Sequence, residues 1–190
     1  SLVMECCCGG DLFDLIASHN KGLPERPAAT VVRHLLRALA YLHVRSIVHR
    51  DVKCENILML EKGVPIEKNT FKLCDFGFAA RLGPDGQLST RMGSPDNVAP
   101  EIVIGDRYST PVDCWASGVL LYMALSARPP FWAQTDREVL RKVRSGEYSL
   151  SGGVWDQTSS TAKDLVCRLM TFAPRARVTA SGALKHEWLA

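Results

Sequence analysis

The sequence predicts a mainly α-helical domain with a few short β-hairpins that carry its polar motifs. Three observations lead there. Between residues 28 and 45, Val31, Val32, Leu35, Leu36, Leu39 and Leu42 recur at helical spacing. From Cys114 to Ala127 no residue carries a charge on any face, the pattern of a helix buried all round. That run ends at Arg128 and is too short to cross a bilayer comfortably. Finally, two extended apolar runs, Ile47 to Leu60 and Phe71 to Leu73, flank a polar stretch at 61–70 that contains Gly63 and Pro65.

Taken in order, residues 1–8 read as the end of a strand that Gly9 and Gly10 break. Asp11 to Ser18 is a short helix with Leu12, Leu15 and Ile16 on one side. Residues 79–98 lack periodicity and hold Gly83, Pro84, Gly86, Gly93 and Pro95, and a loop of that length inside a compact domain usually serves a function. The uncharged helix begins with Thr110 as N-cap, Pro111 in its first position and Asp113 as a capping-box partner. Further helices are expected at 135–145, 160–171 and 179–189, with capping boxes Thr135/Glu138 and Thr161/Asp164.

With 190 residues the chain is one domain long. A net charge of +3 gives no reason to expect nucleic acid or an anionic membrane as partner, since those need a concentrated basic patch. The seven cysteines show no C-x-x-C spacing, which argues against a zinc site. An odd, scattered set fits reduced thiols in the cytoplasm or nucleus, mostly buried as small apolar side chains, with the run Cys6, Cys7 and Cys8 packed rather than reactive. His19, His34, His43 and His186 are expected on the surface or in helix packing, and His49 beneath Phe76. The chain opens on Ser1 with Leu2, Val3 and Met4 already strand-like, so the N-terminus reads as a truncation.

The chemistry concentrates in two places. In His49-Arg50-Asp51-Val52-Lys53-Cys54-Glu55-Asn56, an Asp, a Lys and an Asn follow at offsets of two and three. Phosphoryl transfer spreads charge over phosphate oxygens, so it needs positioning and neutralisation more than covalent chemistry. Asp51 can orient an attacking hydroxyl and accept its proton. Lys53 can neutralise the moving group, and Asn56 can hold a metal through its amide oxygen. Asp75-Phe76-Gly77 follows an extended run and offers a hard oxygen ligand beside a flexible turn. Ala99-Pro100-Glu101 closes the long loop.

In this order and separation these motifs resemble the protein-kinase family, from Leu2 to Trp188. The resemblance implies one partial kinase domain over 1–190: the hinge and C-terminal lobe of a protein-kinase-like fold, without the N-terminal lobe. Lys53 two residues after Asp51 resembles the serine/threonine type. Asp113-Cys114-Trp115 resembles the start of the family's central helix, where the Asp anchors the catalytic loop, and Arg177 resembles the partner of Glu101. Gly9-Gly10-Asp11-Leu12-Phe13-Asp14 and Arg128-Pro129-Pro130-Phe131-Trp132 are similar to the calcium-dependent and calcium/calmodulin-dependent group.

The resemblance further implies ATP and Mg²⁺ as cofactors, with Asn56 and Asp75 as metal ligands and Asp51 and Lys53 as catalytic residues. It assigns a nucleotide edge: Met4 as gatekeeper, the backbones of Glu5 and Cys7 at adenine, Asp11 at the ribose, Leu58 as the floor, and Glu55 beside this set. Asp11 and Glu55 also match acidic positions that favour an Arg three residues before the phosphoacceptor, so protein substrates with basic residues upstream of a Ser or Thr are expected. Met123 stands where some basophilic relatives carry Glu. Residues 75–101 resemble an activation segment with Thr90 as the site for an upstream kinase, and Ser94 as the hydroxyl residue that contacts Asp51 and Lys53. Asn97 stands where a Tyr is usual. No Gly-x-Gly-x-x-Gly and no Val-Ala-x-Lys occurs in the chain, so these residues are expected to present the catalytic groups without clamping ATP. The alternative is a non-catalytic, pseudokinase-like binding module.

Overall fold

The computed structural model describes residues 3–190. Helix α1 (Leu12–Ala17) is capped by Asp11, whose carboxylate accepts the amide of Asp14 at 2.9 Å, and it buries Leu12 and Ile16. Helix α2 (Glu25–His43) buries the six residues that the periodicity selected. It starts three residues earlier than the apolar pattern does, because Pro27 is tolerated in a first helical turn, where no amide partner is needed.

Strands β1 (Ile47–Val48), β2 (Ile57–Met59), β3 (Phe71–Leu73) and β4 (Ala80–Arg81) form two antiparallel pairs. β2 pairs with β3 in the register Ile57↔Leu73, Leu58↔Lys72, Met59↔Phe71, and β1 pairs with β4. A 3-10 turn, Cys54–Asn56, divides the run expected to be extended from Ile47 to Leu60. The loop at 61–70 is tied by one buried side chain: Asn69 donates to the Glu61 carbonyl at 2.7 Å and accepts from the amides of Glu61 and Thr70.

Helix α3 (Pro100–Ile104) leads to α4 (Pro111–Ser126), which is buried along nearly its whole length as its composition predicts. It packs on α2 and on α6 (Ser160–Leu169). The approach to α6 is close. A Cβ on Gly118 would stand 2.5 Å from Met170 Cγ and 2.9 Å from Leu169 Cβ. Trp115 lies parallel to Phe131 with centroids 5.9 Å apart. Beside it, Arg177 spends all five donors inside the protein. It pairs with both carboxylate oxygens of Glu101 at 2.7 and 3.0 Å, and donates to the carbonyls of Pro111, Thr171 and Phe172. The expected structural ion pair is therefore present, with every proton placed, which is the condition under which a buried charge pair is tolerated.

Several expectations fail for identifiable reasons. Residues 3–8 form no strand; only Cys8 and Gly9 donate to β2 and the turn after it, through Cys8 N to Leu60 O and Gly9 N to Met59 O. Thr110 makes no side-chain cap, because its own backbone is already helical rather than extended. Thr161 does not cap α6; Ser159 does, accepting from Ala162 N, while Asp164 pairs with Arg168 and His186. The helix expected over 179–189 is a single turn, α7 (Ala180–Ala183), followed by a 3-10 turn at Glu187–Leu189. It breaks because its end is pulled onto α2: Trp188 Nε1 donates to Glu25 and Arg33 donates to the Leu189 carbonyl. On α5 (Asp136–Ser145) Thr135 caps as predicted, its hydroxyl accepting the Glu138 amide, but Glu138 accepts the Thr135 hydroxyl rather than its backbone amide, so only half of the capping box forms.

Only Cys54 and Cys114 of the seven cysteines are buried, and burial pushes both thiols up to about 12. Cys6 and Cys8 are exposed, against the expectation that this run is packed away. Among the described residues no helix is long and apolar enough to cross a membrane.

Gly118→Ala is expected to lower stability by about 1–3 kcal/mol in urea unfolding, as overpacking does. Helix propensity alone predicts a gain of roughly 1 kcal/mol from the same change, so a raised midpoint would show that α4 and α6 do not meet this closely.

Candidate active site

The site is assembled around one buried carboxylate. Asp113, 1 % exposed in the first turn of α4, accepts the amide of His49 on Oδ2 and the amide of Arg50 on Oδ1, both at 2.9 Å. His43, at the last turn of α2, meets Oδ2 at 2.9 Å. Since a carboxylate only accepts, His43 Nε2 carries the proton. Two consecutive amides on one carboxylate fix the chain just before Asp51, and Arg50 adopts a left-handed φ of 68° to meet it. The expected capping-box role of Asp113 is not realised, because its oxygens are committed to this loop.

Asp51 is 4 % exposed, and its polar atoms are fully engaged. Lys53 Nζ lies 3.0 Å from Oδ2, Asn56 Nδ2 donates to Oδ2 at 3.0 Å and to the Asp51 carbonyl at 2.8 Å, and Ser94 Oγ donates to Oδ1 at 3.1 Å. The hydrogen bond to Asp51 raises the Lys53 pKa, so Lys53 stays a cation at neutral pH. Four residues picked from the sequence thus meet at one carboxylate.

Asp75 is placed by the β2–β3 hairpin. Its neighbour Cys74 donates to the Asn56 carbonyl at 2.9 Å and accepts from His49 Nε2 at 3.1 Å. That donation leaves His49 Nδ1 as an acceptor, facing the Asp51 amide at 3.4 Å. His49 is fully buried, edge-on to Phe76 with centroids 5.0 Å apart, and burial pushes its pKa down. It is a neutral strut between the two motifs, as expected, and not a base. Asp75 itself has a φ of 59°, and its Oδ1 accepts the Gly77 amide at 3.1 Å.

The residues fit a magnesium ion. Both bonds that the Asn56 side chain makes come from its nitrogen, so its Oδ1 takes no donor among the described residues. Asp75 is exposed and engages one oxygen. Two hard oxygens suit an ion that keeps waters and phosphate oxygens as its other ligands. Among the described residues no group of three His, Cys, Asp or Glu side chains forms a self-sufficient metal cage.

The proposed nucleotide edge lies along the same hairpin. Asp11 bridges to Leu58, and Met59 N donates to the Gly10 carbonyl at 2.9 Å. Met4 is 72 % exposed, Glu5 is exposed and paired with Lys72 at 2.9 Å, and Cys7 and Leu58 are half-buried. Glu55 is exposed beside Asn56. Of this stretch, Cys8, Gly9 and Asp11 run along β2, whereas Glu5 reaches Lys72 on β3. One Asp11 oxygen is spent on its helix cap.

The activation-segment region is strapped to the chain ahead of α4. Leu88 and Tyr108 exchange backbone hydrogen bonds at 2.8 and 2.9 Å, and Arg107 pairs with Asp85. Tyr108 Oη donates to the carbonyl of the exposed Thr90 at 2.6 Å and accepts from Arg50 at 3.3 Å, while Arg50 Nε donates to the Phe78 carbonyl. The departure at Asn97 leaves a mark: its Oδ1 is buried without a partner among the described residues. From the sequence His43 was expected only on the surface or in helix packing, and Tyr108 carried no expectation. A lone His at a helix end and a lone Tyr in a loop carry no signal until the fold brings them 70 and 18 residues along the chain to their partners.

The protein kinase domain model matches residues 1–189. The chain belongs to the protein kinase family. This kinase chain is 39 % identical over 188 residues to "Calcium-dependent protein kinase 3" of Plasmodium yoelii yoelii, covering 98 % of the chain and 34 % of that relative. It is 42 % identical over 188 residues to "Calcium and calcium/calmodulin-dependent serine/threonine-protein kinase" of Oryza sativa subsp. japonica, covering 99 % and 36 %. It is 39 % identical over 189 residues to "Calcium-dependent protein kinase 33" of Arabidopsis thaliana, covering 100 % and 35 %. The kinase chain therefore spans about a third of the length of these curated relatives.

Asp113→Asn leaves one acceptor oxygen for the two loop amides. Amide hydrogen exchange at His49 and Arg50 is expected to speed up by about tenfold or more, the cost of a lost hydrogen bond to a charged group. Unchanged exchange at both residues would show that the loop is held elsewhere.

Proposed function

We propose that this chain supplies the catalytic lobe of a protein serine/threonine kinase that transfers the γ-phosphoryl group of ATP to Ser or Thr hydroxyls. The observation that carries the reading is the convergence of Lys53, Asn56 and Ser94 on the Asp51 carboxylate. In this reading Asp51 orients the substrate hydroxyl and accepts its proton as the oxygen–phosphorus bond forms and the bond to the β-phosphate oxygen breaks. Lys53, held protonated by Asp51, neutralises charge on the transferred group. Ser94 keeps the activation segment in register with Asp51. Asn56 and Asp75 would hold magnesium, which would neutralise phosphate charge. The hinge backbone at Glu5 and Cys7, with Met4, Asp11, Glu55 and Leu58, takes the nucleotide.

The finer assignments have narrower support. Exposed Glu55 and the remaining Asp11 oxygen favour substrates with Arg upstream of the phosphoacceptor. Exposed Thr90, tethered through Tyr108 to Arg50, fits phosphorylation by an upstream kinase, because Arg50 lies one bridging hydroxyl away. Cytoplasm or nucleus is the proposed location.

A second reading, a non-catalytic binding module, draws on the Asn97 oxygen that is buried without a partner among the described residues. Residues 1–190 alone, given ATP, Mg²⁺ and an Arg-x-x-Ser peptide, are expected to show negligible phosphotransfer, and a robust rate abolished by Asp51→Asn would overturn that. Fusing the small lobe of a calcium-dependent relative ahead of Met4 is expected to restore transfer, with Asp51→Asn lowering it by about 10²–10⁴-fold. A fusion that binds ATP yet transfers nothing favours the binding module.

A further inference from the structure

One buried hydroxyl joins the activation segment to the catalytic loop and belongs to no motif. Tyr108, 4 % exposed, exchanges both backbone hydrogen bonds with Leu88, so its ring enters the protein from a fixed strand pairing. A phenolic hydroxyl donates once and can accept besides. The proton goes to the Thr90 carbonyl at 2.6 Å, and the oxygen accepts from Arg50 Nη1 at 3.3 Å. Arg50 is held elsewhere too: its amide donates to Asp113 Oδ1 at 2.9 Å and its Nε to the Phe78 carbonyl at 2.5 Å.

These contacts close a ring around Asp51. From Tyr108 the path runs through Arg50 to Asp51, the next residue in the chain. Asp51 Oδ1 accepts from Ser94 Oγ at 3.1 Å, and from Ser94 the backbone leads back to Thr90, whose carbonyl returns to Tyr108. Inside the ring the two backbones nearly touch. A Cβ on Gly93, at a φ of 113°, would stand 3.2 Å from the Arg50 carbonyl. Without the Tyr108 oxygen the ring opens on the side opposite Ser94.

The Arg50 guanidinium meets two neutral oxygens, those of Phe78 and Tyr108, and pairs with no carboxylate among the described residues. A phosphate on a loop residue supplies an arginine with an anionic partner. We propose that the Tyr108 hydroxyl is a positioning group that stands in for such a phosphate. It holds Arg50 and the Thr90 carbonyl in register while Thr90 is unmodified, so Asp51 is ordered before any phosphorylation. A phosphate on Thr90 would compete with the hydroxyl for Nη1, and the two effects therefore overlap. The consequence for turnover rests on the kinase reading above; the ring of contacts does not.

Hydrogen exchange of the 190-residue chain, followed by nitrogen-15 NMR, tests the contact in Tyr108→Phe. Loss of one oxygen is expected to speed exchange of the Arg50 Nε proton and of the amides of residues 90–94 by about fivefold, the weight of one hydrogen bond. Protection of α2 and α6 should not change. Arg107→Ala, which cuts the neighbouring exposed pair with Asp85, should leave the Arg50 Nε proton as it is in the parent chain. Arg50→Lys keeps a cation but withdraws Nη1 from the hydroxyl; it should loosen residues 90–94 in the same way, and it decides the matter if Tyr108→Phe does not fold. In the small-lobe fusion described above, Tyr108→Phe should lower kcat by about fivefold with Thr90 unphosphorylated and by less than about twofold once Thr90 carries phosphate, with the peptide KM little changed in both. Unchanged exchange at Arg50 Nε and residues 90–94, or an equal loss of kcat with and without the phosphate, would overturn the proposal. A fusion that transfers nothing counts against the kinase reading, and the exchange measurement then decides the role of the hydroxyl by itself.

Discussion

The carboxylate of Asp113 is the contact on which the site depends. A charge this deeply buried is costly unless it is fully hydrogen-bonded, and three donors meet it: the amides of His49 and Arg50 and the ring of His43. The arrangement works in both directions. The helix α4 can bury an acid because the loop supplies amides, and the loop can hold Arg50 at a left-handed φ because the acid rewards that geometry. From there the chain runs into Asp51, whose position is settled before any of its own side-chain contacts form.

The second constraint is the β2–β3 hairpin. It is only three residues wide on each strand, yet its two ends carry most of what could meet a nucleotide and a metal. At one end Asn56 bonds to Cys74 and so brings Asp75 close; along the other edge Asp11 meets Leu58, and Gly9 and Gly10 follow Met59. His49 locks the hairpin to the catalytic loop through one neutral ring. Further out, the buried Arg177–Glu101 pair fixes the end of the activation segment against α4, with Trp115 packed alongside the guanidinium. The loop between these anchors is held by backbone exchange at Leu88 and Tyr108 and by Ser94 on Asp51.

Much of this was readable in advance where a local rule operates. The amphipathic face of α2 and the uncharged length of α4 follow from periodicity, and both are buried as read. Asp51, Lys53 and Asn56 lie within six residues, so short range brought them together. Some misreadings fall where a distant partner outbid a local pattern. Asp113, read both as a cap and as the anchor of the catalytic loop, is the anchor alone; Asp164 looked like a capping partner and binds Arg168 and His186. The last helix breaks because Trp188 and the Leu189 carbonyl are drawn to Glu25 and Arg33 on α2. Cys6 and Cys8, apolar by composition, are exposed because the described chain packs against this segment through Gly9 rather than through their side chains.

By itself the sequence determined which elements form and which side chains carry chemistry. Helix periodicity and motif spacing are properties of a few neighbouring residues, and they survive without knowledge of the fold. The tertiary structure alone decided the pairings that no motif carries. His43 and Asp113 lie 70 residues apart in the chain, and Tyr108 and Thr90 lie 18 apart. Hydrogen bonds in a buried site must all be satisfied together, and that condition exists only once the helices have packed.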